Sequence, residues 1–421
     1  MHKKIDFPNK LRLIEVPRNG TDAVTVLFLF GVGSRYETKE INGVSHFIEH
    51  LMFKGTKKRA TTLDISKELD GVGAEFNAFT GKDYTGYYIK INHKQVELAV
   101  DVLSDMLLNS KFDNKEINRE RGVIIEEINM YQDNPMMFRE SLCEESIYKG
   151  STLGWDIAGP VSVIKKVTRQ QIIDFRDSYY QPGNCVVAIA GKVNEKSRKL
   201  IEQKFATKMK KNVEVAPFKE FKSTQKEFRI KIQHRDTKQV QLGLGFPAYG
   251  YNSDQTHAMH LLTIILGGNM SSRLFISVRE RRGLAYFVRC FPSFYQDVGN
   301  VFIQSGLDVS RLEEAVKIIF AELKKIKKGV TVKELQSAKE FIRGKMVLNL
   351  EDSSHLAEYY AKQALLLGKT LTPSEKMAKY DSVTLEDVKK AAKDIFQQDK
   401  LNLSLVGPFK DKKKFEKLVS L

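Results

Sequence analysis

His46 and His50 stand four residues apart, with Glu49 between them, in the stretch Asn42-Gly-Val-Ser-His-Phe-Ile-Glu-His-Leu-Met-Phe-Lys54. Val44, Phe47, Ile48, Leu51 and Met52 recur at helical spacing and predict one apolar face of a helix. The two histidines share a different face, one turn above the other. Two imidazoles so placed can grip one metal ion. A carboxylate three residues after the first can take a proton from water bound to that ion. The spelling is His-x-x-Glu-His, the inverse of the His-Glu-x-x-His zinc helix. Packing alone gives little reason to set two histidines and a glutamate together on a core helix.

A third ligand is needed, and a second helix supplies candidates. It begins near Asn114, a residue suited to capping, and runs through Glu116-Ile-Asn-Arg-Glu120-Arg-Gly-Val-Ile-Ile-Glu-Glu127-Ile-Asn-Met130. Glu120 and Glu127 are seven apart, almost two turns, and project from nearly the same side, whereas Glu126 points about a hundred degrees away. Ile124, Ile125 and Ile128 predict a largely buried helix, where a glutamate needs a partner.

The remaining elements frame these two helices. Leu11–Val16 and Ala23–Phe30 read as strands joined across Pro17 to Thr21. Ala74–Thr80 and Tyr84–Ile91 read as a hairpin turning at Gly81-Lys-Asp83, and Lys94–Asn109 as an amphipathic helix. At 421 residues the chain predicts two to three domains, and with 42% hydrophobic and 29% charged residues it can bury full cores. No run approaches the length of a membrane span. The start lacks the apolar core of a secretory signal, and Cys143, Cys185 and Cys290 are scattered, which suits reduced thiols and a cytoplasmic setting. The formal charge of +16 raises nucleic-acid binding as an alternative class. Its lysines fall on amphipathic faces and in the tail Lys410–Lys417, without interleaved aromatics, so no nucleic-acid partner is expected.

Between His50 and Glu127 lie 76 residues. His-x-x-Glu-His followed at that distance by glutamate resembles the signature of the pitrilysin, insulysin and mitochondrial-processing-peptidase family. Gly33-Ser-Arg-Tyr-Glu37 resembles the family's lead-in, and Glu120-Arg-Gly-Val-Ile-Ile-Glu-Glu-Ile128 its third-ligand helix. The resemblance implies a zinc metalloendopeptidase acting on peptides or unfolded protein. One Zn2+ per chain would sit on His46, His50 and Glu127, with Glu49 as general base and Glu120 either supporting the third-ligand helix or positioning the catalytic groups. It also implies strand addition of substrate along Ala74–Thr80, with Asn77 and Ala78 near the cleavage point.

The second half repeats the first. Val96–Leu107 matches Leu312–Leu323, and Gly71-Val-Gly-Ala-Glu-Phe76 matches Gly283-Leu-Ala-Tyr-Phe-Val288. His257 and His260 take the place of the zinc helix at a spacing of three, without the glutamate, and Lys345 falls opposite Glu127. The expected fold class is α+β: two homologous domains, each a mainly antiparallel sheet packed against helices. Residues 1–210 form the catalytic domain, 211–227 a linker, and 228–421 a domain without metal. Val278-Arg-Glu-Arg-Arg-Gly-Leu-Ala-Tyr-Phe287 resembles the family's second-half motif, which assigns Arg279 and Tyr286 to the substrate backbone and the oxyanion. Larger family members carry four repeats, so a two-repeat chain is expected to form a homodimer with shared active sites. The other class consistent with the resemblance is a non-catalytic structural or assembly subunit, which bound zinc would distinguish.

Overall fold

A computed structural model describes residues 2–209 and 213–419 of the chain. Positions 1, 210–212 and 420–421, which include the first two residues of the expected linker, lie outside them. The described residues form two compact units, and neither is one continuous piece of chain.

The first unit draws on residues 1–128, 156–219 and 345–373. Its sheet holds β1 (Lys3–Asp6), β2 (Arg12–Pro17), β3 (Ala23–Phe30), β4 (Glu75–Thr80), β5 (Thr85–Asn92) and β6 (Cys185–Gly191) in the order β1-β2-β6-β3-β5-β4. Only β2 and β6 run parallel; the other neighbours are antiparallel. The hairpin turning at Gly81–Asp83 is present as β4 and β5. β2 and β3 follow one another in sequence but do not pair, because β6 lies between them. All seven residues of β6 are buried, as befits a central strand covered on both faces.

One face of this sheet packs on the helices Val44–Met52, Thr62–Asp70, Val96–Asn109 and the start of Asn114–Asp133. The other face sets Ile14, Leu27, Leu29, Val186 and Ala188 against Leu356, Ala357, Tyr360 and Ala364 of the helix Ser353–Leu366. That helix comes from the second half of the sequence.

The second unit draws on residues 129–155, 220–344 and 374–421. Its sheet has the order β7 (Arg229–His234), β11 (Asn402–Gly407), β8 (Gln239–Tyr249), β10 (Val298–Asp308), β9 (Ala285–Phe294). β7 and β11 are parallel and the rest antiparallel. Dropping β1, the two orders correspond strand for strand, with the parallel pair in the same place and β4 and β9 as matching edges. The fold is therefore α+β and duplicated, with mainly antiparallel sheets. The helix Pro135–Ile147, from the first half of the sequence, packs here: Gly245 of β8 has no side chain to obstruct Cys143 and Ile147, and Ser146 Oγ hydrogen-bonds Asn402 Oδ1 at 2.9 Å. Each half of the chain thus lends one helix to the other half's sheet, an exchange that the continuous ranges 1–210 and 228–421 do not contain.

Candidate metal centre

The helix Val44–Met52, called here the histidine helix, is fixed from both ends of its register. Val44, Phe47, Ile48, Leu51 and Met52 are at most 1% exposed and point into the core, which turns His46, Glu49 and His50 the other way. At its start Gly43 adopts φ 99°, and a Cβ there would meet Ala158 O at 2.5 Å, so glycine is required on both counts. Glu37 is buried and closes the helix N-terminus. Its carboxylate accepts from Gly43 N at 2.7 Å, Ser45 N at 2.8 Å and Asn42 Nδ2 at 2.8 Å. Burial pushes the Glu37 carboxyl up to about 7, against the pull of those donors. Glu37→Ala removes three hydrogen bonds at once, and among the described residues only Asn42 Nδ2 keeps another acceptor, Asp156 O at 3.2 Å. It is expected to cost about 3 kcal/mol, within the range for hydrogen bonds to a charged group, read as a lower thermal midpoint. An unchanged midpoint would show that the helix start does not depend on Glu37.

The helix Asn114–Asp133, the glutamate helix, lies with Ile117, Glu120, Ile124 and Ile128 buried. Arg121 pins it to the chain by donating to the carbonyl oxygens of Ile164 and Val167. The register brings Glu127 to both histidines. His46 Nε2 and His50 Nε2 are 3.3 Å apart, and Glu127 Oε2 lies 3.6 Å from each. Among the described residues this is the one group of three or more metal-type side chains with mutually close ligand atoms. An ion bound tetrahedrally with arms of about 2.1 Å holds its donors about 3.4 Å apart. The triangle therefore has the dimensions of three corners of a zinc tetrahedron, and its donor types suit zinc.

The surroundings favour a cation at the centre. Glu120 is buried to 3% side-chain exposure. Its Oε2 lies 3.2 Å from His50 Nδ1, and its Oε1 lies 2.7 Å from Lys54 Nζ. A carboxylate on Nδ1 fixes the proton there and leaves Nε2 free as a ligand atom. Burial works against the Glu120 anion, but His50 and Lys54 hold its carboxyl below the usual range. The hydrogen bond with His50 likewise lowers Glu127 against its burial. Burial and the neighbouring His50 keep His46 neutral, below the ordinary imidazole range. Burial opposes charge on His50 too, yet Glu120 and Glu127 together raise it well above that range.

Glu49 stands apart from the ligand triangle. Its Oε2 accepts a hydrogen bond from Thr80 Oγ1, and burial raises its carboxyl against that bond. A carboxyl made more basic by burial and set beside a metal triangle is equipped to accept a proton.

The other site residues from sequence fall in two places. Asn77 and Ala78 lie on β4, an edge strand of the first sheet, opposite Tyr88 and Tyr87 of β5. Arg279 is the second-to-last residue of the short helical turn Phe275–Glu280 of the second unit, and Tyr286 is the second residue of β9. The two are neighbours there: the Arg279 guanidinium carbon is 4.9 Å from the Phe275 ring and 5.8 Å from that of Tyr286, which is 82% exposed. In the second unit His260 Nδ1 is engaged by Tyr380 OH at 2.8 Å, and the His257 ring packs edge-on against Tyr380. Sequence reasoning passed over Lys54, Thr80 and the capping role of Glu37. Lys54 carried a signal, four residues past His50 and so one turn on. Thr80 carried none, because its link to Glu49 runs between a strand and a helix.

Comparison with known proteins adds an independent line. Residues 13–161 match the family model described as insulinase, peptidase family M16, and residues 166–342 match that described as peptidase M16 inactive domain. An uncharacterized zinc protease of Bacillus subtilis is 34% identical over 97% of this chain and 98% of its own length. Another, from Streptomyces coelicolor, is 35% identical over 97% and 90%. In fold the chain is similar to a protease from Helicobacter pylori, with a TM-score of 0.89 at 24% identity, covering 97% of this chain and 99% of that one. It is similar also to a peptidase M16 inactive domain from Pseudomonas fluorescens, TM-score 0.89 at 19% identity, covering 97% and 98%.

Proposed function

The chain belongs to the insulinase family of peptidases, family M16, whose relatives are named zinc proteases, and from that premise we propose that it is a zinc-dependent endopeptidase acting on unfolded peptides or precursor segments. The observation that carries the reading is the 3.3–3.6 Å triangle of His46, His50 and Glu127 donor atoms with Glu49 beside it. Those three residues would hold the ion, one per chain. When bound, zinc supplies a Lewis acid that brings the pKa of water to roughly 7 and polarises the scissile carbonyl.

The rest of the mechanism lies in the chain's own residues. Glu49 takes the proton of the attacking water and returns it to the leaving amine. Glu120, backed by Lys54, keeps the Nδ1 proton on His50 and the ring in place. The free edge of β4 offers backbone donors and acceptors to an extended peptide, with Asn77 and Ala78 near the bond to be cut. Such pairing recognises an extended backbone more than a sequence, which suits unfolded substrates. Arg279 and Tyr286 serve the substrate backbone and the developing oxyanion, supplied by a second copy of the chain in a homodimer. The cysteines Cys143, Cys185 and Cys290 are free and buried, in keeping with a reducing, cytoplasmic setting. No helix among the described residues is long and apolar enough to cross a membrane.

The testing experiment measures metal and cleavage together. The purified protein is expected to hold one zinc per chain and to digest reduced, alkylated casein. Phenanthroline is expected to remove both metal and activity, and added zinc to restore them. Two zincs per chain, or full cleavage after the metal is gone, would overturn the reading. Zinc-free protein that cleaves nothing would support the structural-subunit class.

A further inference from the structure

We propose that Thr80 is a positioning residue for the base, so that the strand which receives substrate also aims Glu49; the inference rests on the peptidase reading above. Thr80 Oγ1 donates to Glu49 Oε2, and among the described residues this is the one hydrogen bond of the Glu49 side chain. The histidine helix fixes the Glu49 backbone, but three side-chain torsions lie between that backbone and the carboxylate. The hydroxyl of Thr80 selects among them.

Thr80 is itself well placed to do so. It is the last residue of β4 and pairs with Thr85 of β5, whose hydroxyl donates to Val32 O at 2.8 Å. The hairpin tip that follows is clamped to the segment leading into the histidine helix: Ser34 N donates to Gly81 O at 3.1 Å and Arg35 N to Lys82 O at 3.2 Å. Gly33 makes the close approach possible, since a Cβ there would meet Gly81 O at 2.2 Å. Arg35 Nη1 then locks onto Asp83 Oδ1 at 2.7 Å, with both side chains at most 2% exposed. One end of β4 is thus tied to the frame of the histidine helix, while Asn77 and Ala78 lie three and two residues back along the free edge. A peptide that pairs with that edge extends the sheet by one strand and stiffens the segment bearing Thr80. Binding energy from residues remote from the scissile bond would then appear as orientation of the base, in kcat rather than in KM.

The test uses Thr80→Val, which keeps the branched shape and removes the hydroxyl, and Thr80→Ser, which keeps the hydroxyl. The probes are two quenched-fluorescent peptides around one site that the wild type cuts in casein, one short and one extended on both sides. Zinc content and thermal midpoint are recorded for each variant. Thr80→Val is expected to keep its zinc and midpoint, to leave KM within about twofold, and to lose about 10–100-fold in kcat, the scale for a misplaced catalytic group. Thr80→Ser is expected to stay near wild type. The wild type is expected to turn over the long peptide faster than the short one, and Thr80→Val to lose that difference. A cleaving wild type whose kcat is unchanged in Thr80→Val overturns this inference alone. So does a loss confined to KM, a loss equal in Val and Ser, or a loss that tracks melting. A zinc-loaded wild type that cleaves no peptide overturns the inference and the peptidase reading together.

Discussion

Glu49→Gln is expected to keep one zinc per chain and to lose peptide cleavage by about 10²–10⁴-fold, the usual contribution of a general base. The donor atoms close enough together to share one ion are those of His46, His50 and Glu127; the Glu49 carboxylate instead meets Thr80. Glutamine keeps the size of the side chain and an oxygen for the Thr80 hydroxyl, but it cannot accept the water's proton. His50→Ala and Glu127→Gln should behave in the opposite way and release zinc on dialysis. His50→Ala removes a donor and strands Glu120, a carboxylate at 3% exposure, with Lys54 as its remaining partner. Glu127→Gln replaces an anionic ligand, which Zn2+ attracts, by a neutral amide. Metal analysis of dialysed protein and casein cleavage, measured on the same preparations, separate the two roles. Glu49→Gln that arrives without zinc would place the residue among the ligands; one that still cleaves at the wild-type rate would remove it from the chemistry.

Much of this site could be read in the sequence because its parts are local. His46, Glu49 and His50 share one helix, where spacing fixes direction, and Glu120 and Glu127 share another at a spacing of nearly two turns. The β4–β5 hairpin was legible for the same reason, since Gly81 to Asp83 can only turn the chain back. What was not legible depends on neighbours distant in sequence. Nothing in β6 announces that it will slip between β2 and β3; a run of small and branched apolar residues says that a strand is buried, not what it pairs with. Nothing in the helices Pro135–Ile147, whose buried face is Arg139, Cys143, Ser146 and Ile147, and Ser353–Leu366 names the sheet each covers, and the packing sets each against the sheet of the other half of the chain. The duplication was visible in matched helices such as Val96–Leu107 and Leu312–Leu323. The matching strand order of the two sheets appears only in three dimensions. Arg279 and Tyr286 meet because a helical turn gives way to β9 between them, and a spacing of seven does not show that.

Mixing two inactive forms, Glu49→Gln and the double variant Arg279→Ala/Tyr286→Phe, is expected to restore about a quarter of the active sites. The argument is one of symmetry. In the proposed homodimer each histidine helix is served by Arg279 and Tyr286 of the other copy, so each parent dimer carries the same defect in both of its sites. In a mixed dimer one site receives both defects and the other receives none. Random pairing makes about half of the dimers mixed, and half of the sites in those are intact. The experiment requires dissociation and reassembly, followed by kcat measured per chain on a peptide that the wild type cuts. A loss of cleavage in each parent alone is the necessary starting point. If Arg279 and Tyr286 act on the histidine helix of their own chain, every site in the mixture keeps one defect and nothing is restored. The same outcome follows if the protein works as a monomer, and sedimentation of the active wild type distinguishes these cases. Recovery that rises with the time allowed for exchange and stays near a quarter would locate the boundary between two chains within the active site.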